Sequence, residues 1–293
     1  MNIKEFLLYA TETLKNSDIE TPALEAGVML CHVLKCSRAY LYTHNDTVLR
    51  QDELEELEAF LQKRAANVPL QYLLGETEFM SLTFKVSPAV LIPRQDTEIL
   101  VEKCIELLRD RIKLSNEENS IIRSVRVLDM CTGSGCIAVS IAHYCPESRV
   151  VACDVSRSAL EVAKSNSERA GVQNRLEFRC GDLFEVLDGE ERFELIASNP
   201  PYIETETVSG LQTEVRNHEP YIALDGGADG LDFYRKIVAE APKFLIRGGH
   251  LAFEIGYNQA ESVSRLMEKD FEEITVLKDL GGNDRVVFGI IRN

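Results

Sequence analysis

The chain has 293 residues, 45% of them apolar, and its 48 acidic against 32 basic residues give a net charge of −16, which argues against direct nucleic-acid binding. No run of about 18 apolar residues occurs and the amino terminus lacks the layout of a signal peptide, so we expect a soluble, cytoplasmic protein with no membrane contact. The eight cysteines show no paired CxxC spacing, which argues against a zinc site or a disulfide framework, and the length predicts two domains.

Residues 1–68 are helical in pattern. Apolar residues from Ile3 to Leu14 recur at helical spacing, and a second amphipathic segment follows Thr21, which we predict as its N-cap because a proline comes next. A third segment, strongly acidic on its outer face, begins at Gln51. We therefore assign 1–68 to a small all-helical domain.

Residues 69–92 are predicted to form a β-hairpin linker. Phe79, Leu82 and Phe84 alternate with polar residues around a short turn. Asp96 is then in position to cap a helix that continues to about residue 111, and the polar stretch 115–120 is predicted to be a surface loop.

From residue 93 onward the pattern is that of an α/β domain, 93–293, in which strands and helices alternate. This order predicts a mostly parallel, Rossmann-like sheet. A Gly-Gly-Asn-Asp reversal joins the last two predicted strands into a terminal antiparallel hairpin. The predicted strands are 125–130, 149–154, 175–180, 193–198, 249–255, 272–278 and 285–292, and the predicted helices are 136–145, 156–171, 231–246 and 258–268.

A glycine loop joins the first predicted parallel strand to its helix. Glycines let the backbone turn tightly and approach a ligand closely, next to a helix N-terminus. Asp154 ends the next strand about 20 residues later, where an acid can accept both hydroxyls of a ribose. The same spacing also satisfies the dinucleotide pattern, so a nicotinamide-dependent oxidoreductase is an alternative, although the terminal hairpin fits it less well. The loop consists of Cys131, Thr132, Gly133, Ser134 and Gly135.

Two further acids end predicted strands of the same sheet. Asp182 is followed by Leu183 and Phe184, an apolar pair that could flank an adenine ring. Asp129 precedes the glycine loop. Each acid taken alone is equally consistent with an ordinary turn residue or loop cap.

The segment Asn199-Pro200-Pro201-Tyr202 follows a buried strand and is the most specific motif of the chain. An amide or ring-amine nitrogen is a poor nucleophile because its lone pair is delocalised, and a site can help by accepting hydrogen bonds from its N–H groups. Asn199 offers a side-chain oxygen, the prolines direct bare carbonyls outward, and Tyr202 offers a flat face for the planar group. An ordinary Pro-Pro turn is the structural alternative.

The ordered set of Asp129, glycine loop, Asp154, Asp182 and Asn-Pro-Pro-Tyr resembles class I S-adenosylmethionine methyltransferases that modify a planar nitrogen. Further blocks resemble the HemK/PrmC family of release-factor glutamine N5-methyltransferases over most of residues 69–293. The blocks include Pro69–Gly75, Val90–Arg94 with Asp96–Glu98, Ala223–Gly227, Glu254–Gly256 and Asp279–Arg285. One departure is Gln95, where the family usually has proline.

The resemblance implies that the protein methylates the glutamine of the Gly-Gly-Gln motif of peptide chain release factors, consuming S-adenosylmethionine and yielding S-adenosylhomocysteine. It implies that residues 131–135 hold the methionine portion, Asp154 the ribose and 182–184 the adenine. Asn199 would contact both cofactor and substrate, and the helical domain would recognise the protein partner. We expect a monomer that needs no metal.

The same resemblance places Arg94 and Glu98 next to the substrate, whereas by themselves these two residues indicate only an ion pair at a helix start. Glu254 is either an acid in the wall of the site or a strand end. Two other substrates fit the same chemistry: the glutamine of a ribosomal protein, and adenine N6 in nucleic acid, whose –NH2 group poses the same problem.

Overall fold

The computed structural model describes residues 1–117 and 124–292. The chain divides into two compact units. The first combines Met1–Glu76 with Gln212–His218, and the second combines Thr77–Leu211 with Glu219–Asn293.

The first unit is helical. Its core contains Phe6, Leu30 and Leu57, which are all buried, and Asn2 and Glu5 form a reciprocal capping box at the first helix. Thr21 does lie at the N-cap position of the second helix, but its side chain makes no capping bond. The helices are α1 (Ile3–Lys15), α2 (Pro22–Leu34), α3 (Arg38–Thr43), α4 (Gln51–Ala65), α5 (Leu70–Leu74) and α10 (Thr213–His218).

A buried arginine ties the late segment α10 to the earlier helices of this unit. Arg64 on α4 is 4% exposed; its Nε contacts Glu25 at 2.5 Å and its Nη2 contacts Glu214 on α10 at 2.8 Å. Two carboxylates around one guanidinium satisfy a charge that would otherwise be costly to bury. Residues 212–218 therefore belong to the helical unit although they are distant in sequence.

The predicted β-hairpin consists of β1 (Glu76–Phe79) and β2 (Leu82–Lys85), and all of it except Glu76 belongs to the second unit. Met80 and Ser81 join the two strands, and both have a positive φ. A two-residue hairpin turn whose twist matches that of the strands requires this conformation. The sequence interpretation missed α5, which occupies the start of the predicted linker, because five residues are too few to show helical periodicity.

The rest of the second unit is a seven-stranded sheet with helices on both faces. Its strand order is β5-β4-β3-β6-β7-β9-β8; β9 is antiparallel to both β7 and β8, and the other pairs are parallel. The predicted fold class is confirmed. The elements are α6 (Thr97–Glu117), β3 (Val125–Met130), α7 (Cys136–Tyr144), β4 (Ser148–Asp154), α8 (Arg157–Arg169), β5 (Leu176–Cys180), β6 (Phe193–Ser198), α9 (Thr205–Val208), α11 (Asp232–Glu240), β7 (Leu245–Glu254), α12 (Ala260–Met267), β8 (Phe271–Lys278) and β9 (Asp284–Ile291).

Three predicted boundaries are wrong. The helix predicted over 231–246 ends at Glu240, since Pro242 lacks the N–H that would continue it, and β7 then begins at Leu245 rather than 249. Helix α6 runs to Glu117, so the loop predicted at 115–120 is helical in its first half. Residues 118–120 lie outside the described residues.

Within residues 1–117 and 124–292, no helix is both long and apolar enough to cross a bilayer, and no three His, Cys, Asp or Glu side chains are grouped to hold a metal ion. All eight cysteines are free thiols.

Candidate active site

A cavity of about 320 Å³ lies at the carboxyl ends of the parallel strands, where ligands bind in open α/β sheets. The structure brings most of the predicted site residues together in its wall. They are Arg94, Cys131, Thr132, Gly133, Ser134, Asp154, Asp182, Leu183, Asn199 and Pro201.

A buried carboxylate at the end of β3 holds the glycine loop. Asp129 is completely buried at the end of β3, where its Oδ2 accepts hydrogen bonds from the Thr132 hydroxyl at 2.5 Å and the Ala138 N–H at 3.1 Å. Burial raises the pKa of this carboxyl to about 7, and the two donors oppose the rise. Asp129 thus holds both the loop and the first turn of α7. It is not one of the described residues that line the cavity.

Gly135, the last residue of the loop, lies where helix α8 approaches the loop backbone. Its φ is +79°, and a Cβ at this position would meet the Cβ of Ala163 at 2.9 Å. Only glycine satisfies both the conformation and the space. Gly135 is therefore a packing residue behind the loop rather than part of the cavity wall.

Asp154 at the end of β4 is positioned by backbone donors. Its Oδ2 accepts from the Gly133 N–H and its Oδ1 from the Ser156 N–H, both at 2.9 Å. Burial raises the pKa of the carboxyl, and the backbone donors oppose the rise. The acid and the glycine loop therefore form one hydrogen-bonded unit in the cavity wall.

The three residues predicted to flank an adenine separate in the structure. Asp182 and Leu183 line the cavity, and Leu183 adopts a left-handed φ of +46°. Phe184 instead points into the core, where its ring stacks on that of Phe244 at a centroid distance of 5.0 Å. A 3-10 turn begins at Leu183 and directs the two neighbouring side chains to different sides.

Asn199 enters the cavity wall directly after β6. Its side-chain Nδ2 donates to the Thr97 hydroxyl at 3.4 Å, and this orientation leaves Oδ1 as an available acceptor. Pro201 lines the cavity, whereas Pro200 is buried behind it.

Tyr202 is held from two sides. Its hydroxyl donates to Glu254 Oε1 at 3.4 Å, and its carbonyl oxygen accepts from Gln259 at 3.0 Å. A Cβ on Gly230, which has a φ of +70°, would lie 2.3 Å from that carbonyl oxygen. The Tyr202 side chain is thus half-buried, with its hydroxyl directed at Glu254. Tyr202 is not one of the described residues that line the cavity.

Arg94 and Glu98, predicted as a pair, have different partners. Arg94 lines the cavity and its Nη2 donates to the buried carboxylate of Glu219 at 2.6 Å. Glu98 accepts the Met80 N–H at 2.6 Å, which ties α6 to the hairpin turn. The predicted ion pair between Arg94 and Glu98 at the helix start is therefore wrong. Glu98 is not one of the described residues that line the cavity.

Comparison with known proteins identifies this architecture. Residues 5–75 match the family model described as the PrmC N-terminal domain, and residues 107–215 match the methyltransferase small domain. The release factor glutamine methyltransferase of Geobacter sulfurreducens is 41% identical over 290 residues, covering 99% of this chain and 96% of that protein. That of Clostridium acetobutylicum is 38% identical over 292 residues, covering 99% of each.

The chain belongs to the release factor glutamine methyltransferase family. The Vibrio cholerae member is 40% identical over 290 residues, covering 99% of this chain and 96% of that protein. Membership confirms the predicted enzyme class, a methyltransferase whose methyl donor is S-adenosylmethionine.

A solved structure supports the fold alone. The methyltransferase domain of METTL16 superposes with a TM-score of 0.50 at 18% identity, covering 72% of this chain and 88% of that one. At this identity the likeness concerns the arrangement of the sheet and its helices.

The cavity suits S-adenosylmethionine. Its volume is at the lower end of the range for small-molecule sites, and the Asp154 carboxylate lies in its wall, hydrogen-bonded to the Gly133 N–H. The backbone leaves open space at Gly133, where a Cβ would meet nothing within 4 Å. Apolar side chains dominate elsewhere in the wall, as an adenine face requires.

Several wall residues were missed from sequence. Val155 lines the cavity and is 52% exposed; its place in the sequence, directly after an acid that ends a parallel strand, is a signal that could have identified it. Thr97, Phe233 and Lys236 also line the cavity. They lie on helices whose local pattern shows only ordinary periodicity, so no local signal identifies them.

Proposed function

We propose that the protein methylates the side-chain nitrogen of the glutamine in the Gly-Gly-Gln motif of peptide chain release factors. The observation that carries this is the meeting of Asn199 with the glycine loop and Asp154 in one cavity, in a chain of this family. An acceptor for a planar –NH2 group then faces the place where the methyl donor fits.

The cofactor side of the proposed site consists of residues that line the cavity next to the glycine loop. Residues 131–134 would hold the methionine portion, with Gly135 supporting them from behind, and Asp154 would accept the ribose hydroxyls. Asp182 and Leu183 would border the adenine, with Val155 in the place first given to Phe184. When bound, S-adenosylmethionine supplies a methyl group already activated on a sulfonium.

The acceptor side has to make an amide nitrogen nucleophilic. Asn199 Oδ1 and the carbonyl of Pro200 would accept hydrogen bonds from the two N–H groups, which localises the lone pair toward the incoming carbon. The nitrogen would bond to the donated methyl carbon as the bond from that carbon to sulfur breaks and its electron pair stays on sulfur. The same acceptors would stabilise the positive charge on nitrogen until one N–H proton is lost to solvent. Tyr202 contributes by fixing the loop through Glu254 and Gln259 rather than by lining the cavity.

Arg94 is an exposed cation on the acceptor side. Its guanidinium is 40% exposed while the paired Glu219 carboxylate is 2% exposed, so part of the charge remains available to the partner's backbone carbonyls. We assign Arg94 to substrate binding and Glu98 to support of α6. The helical unit is our candidate for recognition of the release factor, which acts on the cytoplasmic ribosome.

The cofactor and acceptor residues named above lie together in the cavity wall of a single chain, and we propose that a monomer is the active unit. The acidic net charge of −16 argues against the rival adenine substrate, since a duplex substrate requires a cationic grip on phosphates.

Peptide-level mass spectrometry tests the substrate. The protein is incubated with S-adenosylmethionine and, in parallel, a release factor, a ribosomal-protein fraction or adenine-containing DNA. We expect the mass gain of one methyl group on the Gly-Gly-Gln peptide, and no gain when that glutamine is replaced by alanine. Methylation of only the ribosomal fraction or the DNA would overturn the substrate and keep the chemistry.

A further inference from the structure

The amide of Asn199 belongs to a buried polar chain that reaches away from the cavity. Its Nδ2 lies 3.4 Å from the hydroxyl of Thr97, 102 residues earlier in the sequence. Thr97 is the first residue of α6 and is only 1% exposed. Thr97 therefore has little contact with water, and the direction of this hydrogen bond depends on the next group in the chain.

That next group is Glu254, at the end of β7. It is 1% exposed, and its Oε2 is fully enclosed with no close hydrogen-bond partner in the described part of the chain. The hydroxyls of Thr97 and Tyr202 both act on this carboxyl, the latter at 3.4 Å from Oε1. A carboxylate with an incompletely satisfied oxygen is a strong acceptor for the single proton of Thr97.

Counting protons fixes the orientation of Asn199. If Glu254 is ionised, Thr97 donates to it and must accept from the Asn199 –NH2, which leaves Oδ1 toward the cavity. If Glu254 is protonated, it can donate to Thr97, whose proton then turns toward Oδ1. In that state the –NH2 of Asn199 faces the cavity and cannot accept an N–H from a substrate.

We propose that Thr97 and Glu254 are positioning residues that select which end of the Asn199 amide faces the substrate, with ionised Glu254 setting the productive orientation. The proposal rests on the proposed function, in which Asn199 Oδ1 accepts from the substrate amide. Neither residue touches the reacting atoms in this account.

The surroundings of Glu254 set the pH at which the orientation changes. Burial raises its pKa to about 7, hydrogen bonding from Thr97 and the charge of Arg285 oppose the rise, and the charge of Asp96 adds to it. The remaining titratable groups facing it, the phenols Tyr202 and Tyr234 and the thiol Cys136, have raised pKa values and are neutral in this range. The productive orientation is therefore gained as pH rises through about 7.

The test compares Thr97→Val, Thr97→Ser and Glu254→Gln with wild type. Their kcat and KM for release factor are measured at saturating S-adenosylmethionine across neutral pH. Thr275→Val, on the exposed face of β8, is the matched control for losing a threonine hydroxyl. Calorimetry of cofactor binding and thermal unfolding accompany each variant.

We expect wild-type kcat to rise with pH around an inflection near 7. Thr97→Val should lower kcat about tenfold, with KM and cofactor Kd nearly unchanged, and should lose the inflection. Thr97→Ser should keep most of the activity and the inflection. Glu254→Gln should be slow at every pH, and Thr275→Val should match wild type.

If the wild-type enzyme methylates release factor, two results would overturn this inference and leave the proposed function standing. One is wild-type kcat and a retained inflection in Thr97→Val. The other is equal impairment of Thr97→Ser and Thr97→Val, since packing of the methyl group would then matter and the hydroxyl would not. A wild-type enzyme that leaves release factor unmodified would overturn the proposed function and this inference together.

Discussion

The glycine loop and the Asn199–Tyr202 segment both follow buried parallel strands, but their hydrogen bonds differ in length. On the glycine side, Thr132 contacts Asp129 at 2.5 Å and Gly133 contacts Asp154 at 2.9 Å. On the other side, Asn199 and Tyr202 make side-chain contacts of 3.4 Å each. Such long bonds are weak, and in apo sites they are expected to tighten only with substrate bound.

This difference indicates a division of labour in the cavity. Short hydrogen bonds to Asp129 and Asp154 hold the cofactor half, whereas the long side-chain bonds of Asn199 and Tyr202 are ones that we expect the substrate amide to tighten. Mutations in the two halves should therefore give separable effects, the first on cofactor affinity and stability and the second on turnover.

Asp154→Ala should have the largest effect on the cofactor half. Loss of a charge-assisted contact to the ribose, at about 3 kcal/mol, predicts an S-adenosylmethionine Kd weaker by roughly a hundredfold. Turnover at saturating cofactor should change little. Isothermal titration calorimetry measures the affinity, and an unchanged Kd would remove the ribose role of Asp154.

Thr132→Val should destabilise the glycine loop while leaving the charged contact of Asp154 to the cofactor in place. It leaves Asp129, which is fully buried, without its closest donor, at a cost of about 2 kcal/mol in the free energy of unfolding. Urea denaturation against Thr275→Val measures this cost. Equal stability of the two variants would show that the short bond contributes nothing net.

The pH dependence of stability should reveal Glu254. Its pKa is about 7 in the folded protein, against an ordinary value of 4.5. Between these two pH values the folded state binds more protons than the unfolded state, so the free energy of unfolding falls as pH rises from about 4.5 to about 7. Asp129 contributes in the same direction. Urea denaturation at about pH 5 and about pH 8 should therefore show a smaller loss for Glu254→Gln than for wild type. Parallel losses would mean that the carboxyl titrates normally.

Phe184→Leu should have the smallest effect on the site. The ring packs on Phe244 in the core, so the variant should lose about 1 kcal/mol of unfolding free energy while its cofactor Kd stays within about twofold of wild type. Calorimetry and thermal unfolding check both values. A large loss of cofactor affinity would restore the adenine contact first predicted from sequence.

The sequence predicted those features of the site that local pattern encodes. Strand ends, glycine loops and proline pairs are visible within a few residues, so Asp154 and Asn199 could be placed at the same edge of a sheet before the structure was known. The direction of Phe184 could not, because a 3-10 turn reverses neighbouring side chains without any periodicity. Thr97 is 102 residues from Asn199, and no short-range signal reports such a contact.

The most direct test of the account is Asn199→Ala, with kcat on release factor and cofactor Kd measured on the same preparation. Loss of a transition-state acceptor predicts a fall in kcat of about a hundredfold to a thousandfold, or roughly 3–4 kcal/mol, with the Kd for S-adenosylmethionine unchanged. Turnover near the wild-type value, or a parallel loss of cofactor affinity, would contradict the division between the two halves of the cavity.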